Sequence, residues 1–247
     1  MAAQLQLFDS HEATQRWNVR VSRRARRLSV RVYPGGHVEV VVPPGASPVT
    51  IARFVGTHRQ WIAERVADLS AQPAGNRQLR PSRIELPAIG RSFAVDYAAN
   101  MARKDARVRI NVLGEDSLQV TGKLDNEQRV AQLLRDWLSG LAQVELGREL
   151  TETAQRCGLE FRRMQIRRQR TRWGSCSASG TISLNVCVLF QEPAVMRYLL
   201  IHELSHTRHM NHSRRFWALV KSFEPDCEQL DRELLRGWQR VPGWMFA

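Results

Sequence analysis

Residues 202–212 read HELSHTRHMNH, and the chemistry that string can do is metal binding. His202 and His206 are four residues apart, so on a helix both imidazoles leave the same face and can share one ion. Glu203 points somewhat off that face, where a carboxylate serves as general base toward an activated water better than as a ligand. With 7 histidines in 247 residues, an HExxH arises by chance only about 0.01 times. Catalytic zinc takes three protein groups and leaves one position for water, so a third ligand is required. His209 continues the helical face, but a ligand that close on the same rigid helix would strain to reach the ion. His212 lies six residues after His206, beyond Asn211. Asparagine tolerates the left-handed conformation, so a helix ending near Met210 would let the chain turn His212 back. The spacing favours His212. Histidines merely decorating a surface helix would not need the apolar body of Val195, Met196, Leu199, Leu200 and Leu204.

The elements that must hold these residues follow from periodicity. Pro193 suits the first turn of a helix running toward Met210, and residues 213–223 and 226–237 read as two closing helices. Residues 126–157 carry Val130, Leu133, Leu134, Trp137, Leu141, Val144, Leu146 and Leu150 at three- and four-residue intervals, a long amphipathic helix that Gly158 stops. Short strands are expected over 164–169 and 180–187, flanking TRWGSCSASG. Further strands are expected over 92–97, 108–113 and 117–121, with a turn at Gly114-Glu115-Asp116. Upstream, RVSRRARRLSVRVYPGGHVEVVVPPGA alternates polar and apolar residues about Pro34-Gly35-Gly36, a β-hairpin pattern. Ser47-Pro48 then opens a helical segment with Val49, Ile51, Val55, Trp61 and Ile62. The expected organisation is α+β: a loose tail over 1–15, a β-rich lobe over 16–125 and a helix-rich catalytic lobe over 126–240.

The blocks QRTRWGSCSASGTISLNVCVLF and YLLIHELSHTRHMNHSRRFWALV resemble the YgjP-like metallopeptidase family, in which a TRWGSC segment and an NxN-like strand accompany HELxH and NHSxxFW. Cys187 departs from the bulkier residue common at its position. The resemblance reaches back to RVSRRARRLSVRV and covers roughly residues 16–240. It implies a zincin-like fold related to the SprT-like proteins, peptide or protein substrates, and a third ligand in an HxxxF context, which points to His212 followed by Phe216. It also implies that the strand near Gly180–Asn185 lies alongside the active-site helix, where a peptide would pair with such an edge. The activity expected is therefore zinc-dependent amide hydrolysis, with Glu203 taking the proton of a water acidified by Zn2+. Two rivals are a nucleotide or phosphoester hydrolase, whose arginines would bind substrate phosphates, and a nucleic-acid-binding protein with a structural metal, which would need a fourth protein ligand. Arg172 as an oxyanion partner, Cys176 as a nucleophile, and Trp173 and Phe216-Trp217 as cleft walls are weaker readings; aromatics at such positions more often pack the core.

The formal net charge is +13, and arginine outnumbers lysine by 34 to 3. Two groups stand out: Arg23, Arg24, Arg26 and Arg27, and Arg167, Arg168, Arg170 and Arg172. Such clusters fit a polyanion, with DNA the partner to try first by analogy with SprT-like proteins, or simply a solvated basic face. The first residues carry Asp9 and Glu12 and no apolar run, so no secretory signal is expected. No 18-residue apolar run suggests a membrane span. Four cysteines without a CxxC pair fit a reducing cytoplasm.

Overall fold

Repeated valines build the first sheet. In the computed structural model, which describes residues 17–33, 36–70, 79–99 and 107–246, strand β3 (Val38–Val42) buries Val38, Val40, Val41 and Val42. It lies between β1 (Trp17–Val21), which runs parallel to it, and β2 (Ser29–Val32), which runs antiparallel. The β2–β3 pair is the hairpin expected from the sequence, although Pro34 and Gly35 of its turn, like the tail over 1–15, lie outside the described residues. Residues 22–28 are not strand. They form a loop joining β1 to β2, so the alternation read through Arg23–Arg27 does not hold there. The segment opened by Ser47, whose hydroxyl accepts from the Thr50 amide, is two helices, α1 (Pro48–Thr57) and α2 (Arg59–Ser70), divided at His58. Ile51, Val55 and Ile62 are buried, whereas Val49 and Trp61 face solvent.

These elements belong to a unit ending at Pro73; a second unit begins at Ala74 and carries the candidate site. It opens with a four-stranded sheet of β4 (Arg83–Leu86), β5 (Arg91–Ala99), β6 (Arg109–Leu113) and β7 (Ser117–Gly122), in the order β4-β5-β7-β6. Asn126 then caps the 31-residue helix α3 (Glu127–Cys157) by accepting from the Arg129 amide, and Gly158 ends it at φ 59°, the left-handed conformation that glycine adopts without a Cβ penalty. The buried side chains along α3 include an i+4 row, Val130, Leu134, Leu138, Ala142, Leu146, Leu150 and Ala154, flanked by Ala131, Arg135 and Thr153. Val144, expected on that face, is 68% exposed.

Three short strands follow: β8 (Arg163–Arg167), β9 (Gly174–Cys176) and β10 (Thr181–Asn185), ordered β8-β10-β9. This order corrects the expected edge. β10 is the central strand, hydrogen-bonded on both sides, and β9, inside the TRWGSC segment, is the edge strand that packs against the histidine-bearing helix. After Asn185 a buried 3-10 turn (Val186–Phe190), which takes in Cys187, leads to α4 (Pro193–Ser205), α5 (Arg214–Phe223) and α6 (Cys227–Arg236). Helix α4 packs on α3, α5, α6 and β9, which explains an almost wholly apolar surface: Val195, Met196, Tyr198, Leu199, Leu200, Ile201 and Leu204 are all buried. The fold is α+β, with sheets toward the N-terminus and helices toward the C-terminus. Among the described residues no helix is long and apolar enough to cross a membrane.

Candidate metal centre

Helix α4 stops at Ser205, several residues before Met210, because the chain turns as soon as His206 is placed. The amides of Thr207, Arg208 and His209 bond back to Leu204 and Ser205, and the Thr207 hydroxyl takes the Leu204 carbonyl, one of the acceptors a helix end leaves unpaired. The next helix is fixed by Ser213, whose hydroxyl accepts from the Phe216 amide. His212 thus sits immediately before a capped helix start and faces back toward α4. The nitrogens of His202, His206 and His212 gather within 4.8 Å of one another, and His202 Nε2 stands 3.1 Å from His212 Nε2. Nitrogens bound to one tetrahedral zinc at about 2.0–2.1 Å are separated by about 3.3 Å; the His202–His212 pair is close to that separation, and all three donors are near enough to converge on one ion. His209 contributes no ring nitrogen to the group; its main-chain carbonyl lies 3.0 Å from His206 Nδ1.

Packing supports the cluster from below. Phe216, fully buried, lies against all three imidazoles at centroid distances of 5.0, 4.4 and 4.8 Å. Trp217 is at the surface and stacks on His212. The two aromatics therefore divide: Phe216 is core that shapes the site, and Trp217 borders it. Burial, followed by the charges of His206 and His212, holds the pKa of His202 down to about 3. Burial likewise lowers that of His206, against the hydrogen bond its ring donates to the His209 carbonyl. Both rings are neutral near pH 7, the form in which imidazole ligates.

Glu203 projects from α4 toward β9. It is only 4% exposed, and its Oε2 is buried without a hydrogen-bond partner among the described residues. Burial pushes its pKa up to about 8, with Arg172 acting in the opposite direction. The close neighbour is Gly174 of β9. A Cβ built there would meet Glu203 Oε1 at 2.5 Å, so only glycine lets the carboxylate occupy this position. The cleft in front holds about 190 Å³ and is walled by Arg172, Trp173, Gly174, Leu199, Glu203 and Asp231, among others. Trp173 is 7% exposed and stacks on Trp238 at 4.1 Å, so it serves both core and cleft. Cys176 is a poor nucleophile here: burial and then the Glu203 charge push its pKa up to about 11. A larger hollow of about 670 Å³ lies among Arg83, Arg91, Glu115 and Asp116 and contains none of these residues.

Two residues escaped the sequence reading. The Tyr198 hydroxyl donates to Asp231 Oδ1 at 2.8 Å and lies 3.3 Å from His202 Nδ1. Tyr198 stands four residues before His202, a spacing that could have flagged it; Asp231 comes from α6, which no local pattern links to α4. The arginine groups fare differently. Arg23, Arg24, Arg26 and Arg27 are all exposed in the 22–28 loop. In the second group, Arg168 pairs with Asp136 at 2.7 Å, Arg170 donates to the Phe246 carbonyl and Arg167 to Gln165, while Arg172 borders the cleft.

No curated protein matches the chain significantly. A solved structure, the metallopeptidase zymogen of Pyrococcus abyssi abylysin, is 30% identical over 35% of this chain and 89% of its own, with a TM-score of 0.32. The YgjP-like, metallopeptidase domain family matches residues 26–236, a span that begins within the arginine loop and takes in β9, the three histidines and α6. With so much of its length inside that match, the chain belongs to the YgjP-like metallopeptidase family.

Proposed function

We propose that this protein is a zinc peptidase in which His202, His206 and His212 hold the ion and Glu203 is the general base. The observation that carries the reading is the pairing of three converging imidazoles with a buried carboxylate whose Oε2 has no partner among the described residues. Zinc bound to the three nitrogens would supply a Lewis acid and an acidified water. Glu203, whose pKa burial raises to about 8 in the metal-free site, would be drawn down by a neighbouring cation toward the range of a base near neutral pH, and its Oε2 would then take a proton and return it to the leaving amine. Burial against Gly174 keeps the carboxylate in one position. Zinc is favoured over harder ions because all three donors are imidazoles.

Peptide substrates follow from the family, and strand β9 offers a way to align them: an edge strand beside the cleft can extend its sheet with an incoming main chain. A purely structural metal calls for a fourth protein ligand, and the group found among the described residues has three. The test is metal analysis of the purified chain together with hydrolysis of unfolded protein, peptides and nucleotides, using Glu203→Gln as control. The variant should retain about one zinc and lose turnover by roughly 10² or more. Near-normal hydrolysis by Glu203→Gln would remove Glu203 from the role, and cleavage of nucleotides in place of peptides would overturn the substrate class.

A further inference from the structure

Histidine offers a metal only the nitrogen that carries no proton, so something must decide which nitrogen that is. For His206 the His209 carbonyl does so, since a carbonyl can only accept and therefore holds the proton on Nδ1. Among the described residues His202 has no such carbonyl; its Nδ1 faces a side chain. Tyr198 is fully buried one turn earlier on α4, and its hydroxyl gives its one proton to Asp231 Oδ1 at 2.8 Å. The hydroxyl oxygen is then left to accept, and His202 Nδ1 lies 3.3 Å from it. Nε2, on the opposite side of the ring, is the atom that faces His212 Nε2 at 3.1 Å.

We propose that Tyr198 and Asp231 are positioning residues for His202, a relay from Nδ1–H through the Tyr198 hydroxyl to the Asp231 carboxylate that selects the tautomer with Nε2 free for the metal. The inference rests on the metal-site reading above and adds to it a residue from α6, far from the HELSH string in sequence. A carboxylate at the end of such a chain also raises the basicity of the ligand, as carboxylates behind metal-bound histidines do. The competing explanation is that the Tyr198–Asp231 bond merely ties α4 to α6, which pack together. The two differ in what happens to the His202 ring when the bond is removed.

The experiment uses the full chain, 15N-labelled and metal-free, and reads the His202 tautomer from long-range proton–nitrogen correlations; zinc affinity is then measured against a competing chelator. The parent should show Nδ1–H at His202. Tyr198→Phe keeps the ring and removes the relay, so the Nε2–H form should appear and zinc should bind about 10- to 100-fold more weakly. Asp231→Ala should shift both readouts the same way, and Asp231→Asn, which still accepts from the tyrosine, should restore most of the loss. If Tyr198→Phe folds poorly, the Asp231 pair decides. An unchanged tautomer with zinc affinity within about twofold of the parent in Tyr198→Phe and Asp231→Ala would overturn the relay and leave a helix tie. Failure of the parent to bind zinc would instead defeat the metal-site reading, while the tautomer would still judge the relay.

Discussion

At the scale of single residues, the distinction between His209 and His212 is the sharpest consequence of the geometry. His209 acts through its main-chain carbonyl, which alanine retains, whereas His212 presents Nε2 to the site. His209→Ala should therefore keep most of the bound zinc, and alanine at 202, 206 or 212 should release it, as read by metal analysis after dialysis. Retention by His212→Ala with loss by His209→Ala would reverse the ligand set. The buried site also predicts how the metal-free protein responds to pH. His202, held near 3 against an ordinary 6.5, leaves the unfolded chain with the extra proton between those values, so its contribution to stability is lost as pH falls through that window. Glu203 has the opposite sign. Raised from 4.5 to about 8, it keeps its proton in the folded state, so its contribution is present below 4.5 and lost as pH rises toward 8. Thermal unfolding of the metal-free parent should accordingly fall relative to Glu203→Gln as pH rises across that window. Parallel curves would contradict a raised carboxyl.

At the scale of elements, the site depends on a three-residue strand that carries no periodicity. Strand β9 is too short for alternation to mark it, and its role shows only in the contact between Gly174 and Glu203. Gly174→Ala should displace the carboxylate and lower turnover by at least about tenfold while the three histidines still hold zinc. Full activity in that variant would mean that Glu203 has room the geometry denies it. Helix α4 shows the reverse case. Its start at Pro193 and its histidine face were legible, but its end was not, because the stop at Ser205 depends on backbone turns at 207–209 and not on a glycine or proline. The i+4 row of α3 was legible in outline. Leu133, Leu141 and Val144 read as part of its face, yet the side chains fully buried include Leu138 and Ala142, since only packing partners decide which edge of a broad apolar stripe is covered.

At the scale of the whole molecule, the charge of +13 is not one surface. Arg168 and Arg170 are engaged by Asp136 and the Phe246 carbonyl, so alanine at these positions should show as reduced thermal stability and little else. Arg23, Arg24, Arg26 and Arg27 are exposed together on one loop, and if that loop meets DNA, replacing all four by alanine should flatten the dependence of log affinity on log salt by about 0.9 per lost phosphate contact. Titration of single- and double-stranded DNA at two salt concentrations measures this. Absence of binding at low salt would leave the loop a solvated basic face, without bearing on the histidines. The sequence by itself determined the α+β class, the long capped helix and the histidine string with its glutamate, because spacing of three and four residues and cap residues are local and survive in one dimension. The tertiary structure decided which strand is the edge beside α4, why residue 174 has no side chain, that Phe216 underlies all three imidazoles and that Asp231 reaches His202 through Tyr198. Each of these joins segments far apart in the chain, and no local pattern records a contact made only when the chain has folded.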